Sequence, residues 1–237
     1  MIAARPSRAR IAAAASVLAV LGAASAGCSV VQKIDKIKHT VEGNGATIKA
    51  FTDGLQNTEA VPFQVTYVTT GDSPTTVTYA VAPPKNISFA ETGTGSDTSA
   101  TKLISNSSGQ YSCSQSAQGA PWTCQKLGKA SALAQKELFA IYTPGHWVTF
   151  LHIFAIGAGL AGDKVTTSSK TVNGFAMHCV ELFAKKEGTS TICTTQQNIL
   201  GYVKVAAQST SFEIKSYTAT PPAEAFRLPP GATVTKH

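Results

Sequence analysis

The sequence predicts an α+β domain in which a large, curved antiparallel sheet curls around apolar helices. Three observations predict it. Apolar residues alternate with Thr, Ser and Gln at a period of two through much of residues 61–113 and again through 164–220. Apolar residues recur at helical spacing in residues 29–57 and 131–160. No internal repeat and no long linker divides the chain, so the strands and helices share one core.

Composition narrows the class. The 237 residues are 43% apolar and 14% charged, well under the roughly 25% charge of an average soluble domain, which excludes charge-driven disorder. The formal net charge of +7 arises from 20 basic against 13 acidic residues. Three of the basic residues, Arg5, Arg8 and Arg10, fall in the first ten positions; without residues 1–27 the balance is 17 against 13, a net +4. The remaining lysines are scattered, with Lys185-Lys186 the only doublet, so no basic stripe exists to follow a phosphate backbone.

The first 27 residues read as an export signal: three arginines, then an uncharged run from Ile11 to Gly27 that is too short and too Ala-rich to span a bilayer. Two cleavage readings compete. Ala24-Ser25-Ala26 fits ordinary signal peptidase, whereas Ser25-Ala26-Gly27-Cys28 resembles the bacterial lipobox, with Ser25 where Leu usually stands. Cysteine arithmetic favours the second, since Cys113, Cys124, Cys179 and Cys193 form two local pairs and leave Cys28 over. A diacylated Cys28 would anchor the protein to the outer face of the cytoplasmic membrane. The expected division is residues 1–27 as signal peptide, 28–60 as lipidated N-terminus, tether and N-terminal helix, and 61–237 as one domain of sheet and helices.

The elements follow in order. Val31, Ile34, Ile37, Val41, Ile48, Phe51 and Leu55 have helical spacing interrupted by Gly43 and Gly45, which predicts two helical pieces. From Val61 the period is two: Phe63, Val65 and Tyr67, a turn at Gly71-Asp72-Ser73-Pro74, then Val77, Tyr79 and Val81. Pro83-Pro84-Lys85 breaks the run, Ile87 and Phe89 resume it, and Glu91 to Thr101 reads as a loop. Lys102 to Ser105 and Gln110 to Cys113 continue the meander. If Gln118-Gly119 is a two-residue turn, Cys113 faces Cys124 as a hydrogen-bonded pair about 5.5 Å apart at Cα, with Gln115 opposite Trp122 and Pro121 at a non-hydrogen-bonded site. Ser131 caps a helix carrying Leu133, Leu138, Phe139 and Ile141, ended by Pro144-Gly145. Trp147 to Leu160 reads as a buried or interfacial helix. Strands return at roughly 165–169, 174–183, 189–195, 199–206 and 211–218, with Cys179 and Cys193 flanking the polar tip Lys185-Lys186-Glu187-Gly188.

The strand, Pro-Pro-Lys, strand unit from Thr78 to Phe89, the segment Leu103-Ile104-Ser105 with Gly109-Gln110-Tyr111, and the ending Phe226-Arg227-Leu228-Pro229-Pro230-Gly231-Ala232 carry a family likeness. Across roughly residues 30–234 the chain resembles the LolA/LolB lipoprotein carriers and actinobacterial lipoproteins of the LprG/LppX type. The resemblance implies a half-barrel sheet around helices, enclosing an apolar cavity for acyl chains. Its candidate lining is Trp147, Phe150, Leu151 and Phe154, an i, i+3, i+4, i+7 stripe that is equally the pattern of plain core packing, together with Val65, Tyr67, Val77 and Tyr79. Two disulfides and the apolar segment 147–160 depart from the periplasmic carriers.

No catalytic motif supports an enzyme. His146, His152 and His178, with Asp163 or Glu181 as partners, lack a Gly-x-Ser-x-Gly elbow or a His-Glu-x-x-His frame, and neither cysteine pair has zinc spacing. The expectation is therefore a lipid-anchored binding protein for a lipid or other apolar ligand, without cofactor, metal or nucleic acid. The alternative is a structural or sensory envelope lipoprotein with a filled core that acts by protein contact.

Overall fold

A computed structural model describes residues 45–49, 51, 53, 61–71, 74–94, 98–128, 164–184, 188–206 and 209–236. Most of them build one sheet. Strands β1 (Phe63–Thr69), β2 (Thr75–Ala82), β3 (Asn86–Gly93), β4 (Ala100–Asn106), β5 (Gly109–Gln115) and β6 (Thr123–Lys126) form a first meander. A second runs through β7 (Lys164–Val172), β8 (Phe175–Ala184), β9 (Gly188–Thr195), β10 (Leu200–Lys204) and β11 (Ser211–Thr218). The meanders join where β11 pairs antiparallel with β1, and β12 (Thr233–Lys236) runs parallel to β6 at the far edge. The order across the twelve strands is β12-β6-β5-β4-β3-β2-β1-β11-β10-β9-β8-β7.

The α+β class is thereby corrected. Among the described residues, helix is confined to 45–49, 51 and 53 and a 3-10 turn at Ala223–Phe226, and the fold is nearly all sheet. Among these residues the helical segment contributes Ile48 to one of the three core clusters, and the members of the other two come from strands and the connections between them. The residues expected as a helix pair, 131–160, lie outside the described residues, as do Leu55 and everything before residue 45.

Alternation explains the strands. Phe63, Val65 and Tyr67 share a face with their cross-strand partners Val81, Tyr79 and Val77, and Tyr79 continues to Phe89. Most of these residues, with Ile214, Met177, Cys179, Cys193, Ile199 and Tyr202, form the main core cluster, and Val81 packs against it, so both meanders contribute. Tyr67 stacks on Phe212 at 4.2 Å between ring centroids, and Phe63 lies 5.8 Å from Tyr79. A second cluster seats Ile48 of the N-terminal helical residues against Val165, Val180, Leu182, Ile192 and Leu200. The third lies on the other face of the first meander: Ile104, Tyr111, Cys113 and Cys124, under Trp122, Leu228 and Ala232.

Local chemistry sets the turns. Asn173 and Gly174 both have positive φ, 51° and 83°, between the paired residues Val172 and Phe175, the type I′ geometry that an Asn-Gly hairpin favours. The Asn173 side-chain amide then donates to the Ile214 carbonyl at 2.8 Å, tying this tip to β11. The two ends of Glu91 to Thr101, expected as loop, are strand, because Glu91 pairs with Thr101 and Thr92 with Ala100, while Thr94, Thr98 and Ser99 lie outside the strands. At the seam between the meanders, the Thr70 N–H donates to the Ser211 carbonyl at 2.9 Å and the two hydroxyls lie 2.8 Å apart.

Both disulfides are present, Cys113–Cys124 and Cys179–Cys193, but the expected hydrogen-bonded site is corrected. Their Cα separations of 4.0 and 3.9 Å are those of close, non-hydrogen-bonded pairs. The Leu127 N–H donates to the Gln110 carbonyl, and three steps along the ladder from that bonded pair the parity at Cys113 and Cys124 is the opposite one. Residues 116–122 form a longer connection than a two-residue hairpin: the Gln118-Gly119 turn exists, with the Ala120 N–H on the Ala117 carbonyl, but Gln115 does not pair with Trp122 in the ladder. The Gln115 side-chain amide donates instead to the Ala120 carbonyl at 2.7 Å.

Candidate functional site

The sequence-selected residues separate into two groups. Cys28, Trp147, Phe150, Leu151 and Phe154 lie outside the described residues, with His146, His152 and Asp163. Val65, Tyr67, Val77 and Tyr79 are brought together on one face of β1 and β2, with 0, 1, 4 and 1% of their surface exposed. All four are buried members of the main core cluster.

The polar candidates are dispersed. His178 is exposed on β8 opposite Ser169 of β7, and the Ser168 hydroxyl donates to the Glu181 carboxylate at 2.7 Å. A shallow recess of about 210 Å³ lies here, lined by Ser169, Lys170, Thr171, Ala176, Met177, His178 and Gln196. Lys170 reaches away to cover the Tyr202 ring at 3.8 Å. Among the described residues no group of three or more His, Cys, Asp or Glu is placed to hold a metal ion, and no helix is long and apolar enough to cross a membrane.

Among the described residues, two ionisable groups are perturbed. Burial holds the Glu91 carboxyl above its usual range, against the Thr75 hydroxyl bond that pulls it back down. Burial also lowers Lys102 below the usual lysine range. Nothing in the sequence pattern singles out Lys102, and the structure gives it a definite task. Its ammonium donates to the Glu224 carbonyl at 3.2 Å and the Arg227 carbonyl at 2.9 Å, while the Asn106 amide, four residues along the same face of β4, donates to the Phe226 carbonyl at 2.9 Å. The available signal is the Leu228-Pro229-Pro230-Gly231 ending, which marks a turn but not what the turn docks against.

No family model matches the chain, and no curated protein matches it. Among solved structures it is similar in outline to an uncharacterized conserved protein from Thermus thermophilus, with 6% identity over 80% of this chain and 98% of that one at a TM-score of 0.45. It is also similar to MucB, with 10% identity over 78% of this chain and 64% of that one at a TM-score of 0.47, and to the Pseudomonas aeruginosa MucA/MucB complex, with 10% identity over 79% of this chain and 63% of that one at 0.45. The chain thus matches less than two thirds of the MucB chains, and no functional property follows from likenesses this loose.

Proposed function

We propose that this protein is an exported, lipid-anchored protein of the bacterial envelope that acts by contact with another protein and not by catalysis. The observation that supports this reading is the packing of Val65, Tyr67, Val77 and Tyr79, the members of the expected cavity lining that are among the described residues. A sheet whose apolar face is already filled there offers no room for acyl chains beside those residues. Outward, Thr66 and Thr78 adjoin across β1 and β2, the recess on β7 and β8 carries hydroxyls, an imidazole and an amide, and Phe183 and Val234 stand exposed as apolar side chains. The export signal and the lipobox-like Ser25-Ala26-Gly27-Cys28 supply the address.

Native mass spectrometry of the chain from Ser29 to His237 tests the reading. The expected spectrum is the bare polypeptide with two disulfides. A stoichiometric lipid adduct would replace protein contact with the carrier function that the LolA/LolB resemblance implies. Incorporation of labelled fatty acid into the full-length chain, abolished by Cys28→Ala, tests the anchor separately.

A further inference from the structure

The segment from Ala219 to Ala232 leaves β11 near the middle of the sheet and ends beyond β6, at the far edge. On its way its 3-10 turn packs on β3 and β4, held by the three carbonyl bonds from Lys102 and Asn106. It leads into β12, where the Thr233 N–H donates to the Trp122 carbonyl at 3.0 Å. Leu228 and Ala232 of this strap, with Trp122, pack on the cluster that contains Cys113 and Cys124, both with no exposed surface.

We propose that the strap is a gate that controls chemical access to the Cys113–Cys124 disulfide, making the sheet edge a redox-sensitive switch. A disulfide is reduced by in-line attack of a thiolate on sulfur, so a covered bridge reacts only when its cover opens. With dithiothreitol as the probe, one of its thiolates attacks one cysteine sulfur, forms a mixed disulfide and expels the other cysteine as a thiolate that takes up a proton. The second dithiothreitol thiol then closes the reagent into its cyclic disulfide and releases the first cysteine. Two electrons pass to the protein, leaving two thiols. β6 is only four residues long, and reduction would leave it held to β5 and β12 by backbone bonds and side-chain packing alone. The Cys179–Cys193 bridge, in the main core and away from the strap, is the internal reference.

The experiment follows both bridges by peptide mapping after timed exposure of the full chain to dithiothreitol and alkylation. In the wild type, Cys113–Cys124 is expected to open at the rate at which the strap amides of Ala232 and Thr233 exchange hydrogen. Lys102→Met with Asn106→Ala removes the three clamping bonds and is expected to speed reduction of Cys113–Cys124 by roughly tenfold or more while Cys179–Cys193 is unchanged. Leu228→Ala, which loosens the cover without touching the clamp, should shift the same bridge in the same direction. Equal acceleration of both bridges in variants that keep the wild-type circular dichroism spectrum would overturn the proposal, as would a wild-type reduction rate unrelated to exchange at Ala232 and Thr233.

Discussion

Glu91 shows how a single residue records the packing around it. It stands opposite Val77 on β2 and Thr101 on β4, on the apolar face of the sheet, where burial favours the neutral acid. Its folded pKa lies above the ordinary 4.5, so the protein binds this proton more tightly than the unfolded chain does. Stability at this site is fully present below the unfolded pKa and is lost as pH rises through the folded one. Glu91→Gln should therefore raise the melting temperature at neutral pH and leave it unchanged at pH values well below 4.5, measured by thermal melts across that range. Equal gains at both ends would assign the effect to something other than the proton. Packing gives the second residue-scale test: Val77→Trp forces extra volume into a position with 4% exposure and should destabilise by about 1–3 kcal/mol, whereas a cavity wall would accept the ring. The inward set Phe63, Val65, Tyr67, Val77 and Tyr79 is legible from alternation alone. Whether such a face looks into void or into protein is not, because a period of two states only that the face is apolar.

At the scale of elements, strands are legible wherever the period is clean, and most boundaries of β1, β2, β8, β9 and β11 fall within two residues of those expected. The errors share a cause. Glu91 to Thr101 has the composition of a loop because Gly, Ser and Thr dominate it, yet at its two ends Thr92 and Thr101 are at home in a ladder whose neighbours bond their backbone. Counting outward from the Gln118-Gly119 turn gives the right partners, Cys113 with Cys124 and Ser114 with Thr123, but the wrong hydrogen-bond parity, because the ladder does not continue through residues 116–122 to the turn. A bulge gives this scale its prediction. The register slips between Leu200 and Tyr202, leaving Gly201 where an added Cβ would lie 2.6 Å from the Met177 sulfur. Gly201→Ala should cost about 1–3 kcal/mol by chemical denaturation, since Met177 is buried and must shift. Met177→Ala in the same chain should recover part of that cost, a coupling that a purely backbone origin would not show.

The whole molecule depends on a pairing that no local pattern announces. β1 and β11 are separated by nearly the full length of the domain, and their union turns two meanders into one sheet of twelve strands. Periodicity marks both meanders and suggests helices as the organising core, but period and spacing carry no information about which strands meet at the ends of each meander. The described structure instead shares one core across the seam: Phe63, Val65 and Tyr79 of the first meander cluster with Met177, Cys179 and Cys193 of the second, and Tyr67 stacks on Phe212 across the β1 and β11 ladder. Halves that share their core have little to stabilise either one alone. The chain should therefore unfold in a single transition despite its two-meander plan. Trp122 fluorescence in a Trp147→Phe background reports the first meander, and hydrogen exchange at the β8 and β9 amides reports the second; both should give the same midpoint in urea. Phe212→Ala removes the seam stack and should lower that common midpoint, by an amount near the roughly 3–5 kcal/mol of a packed phenylalanine or somewhat less given its partial exposure, without separating the two probes. Two resolved transitions in the wild type would show that each meander folds on its own and that the seam is a docking surface, not part of a common core.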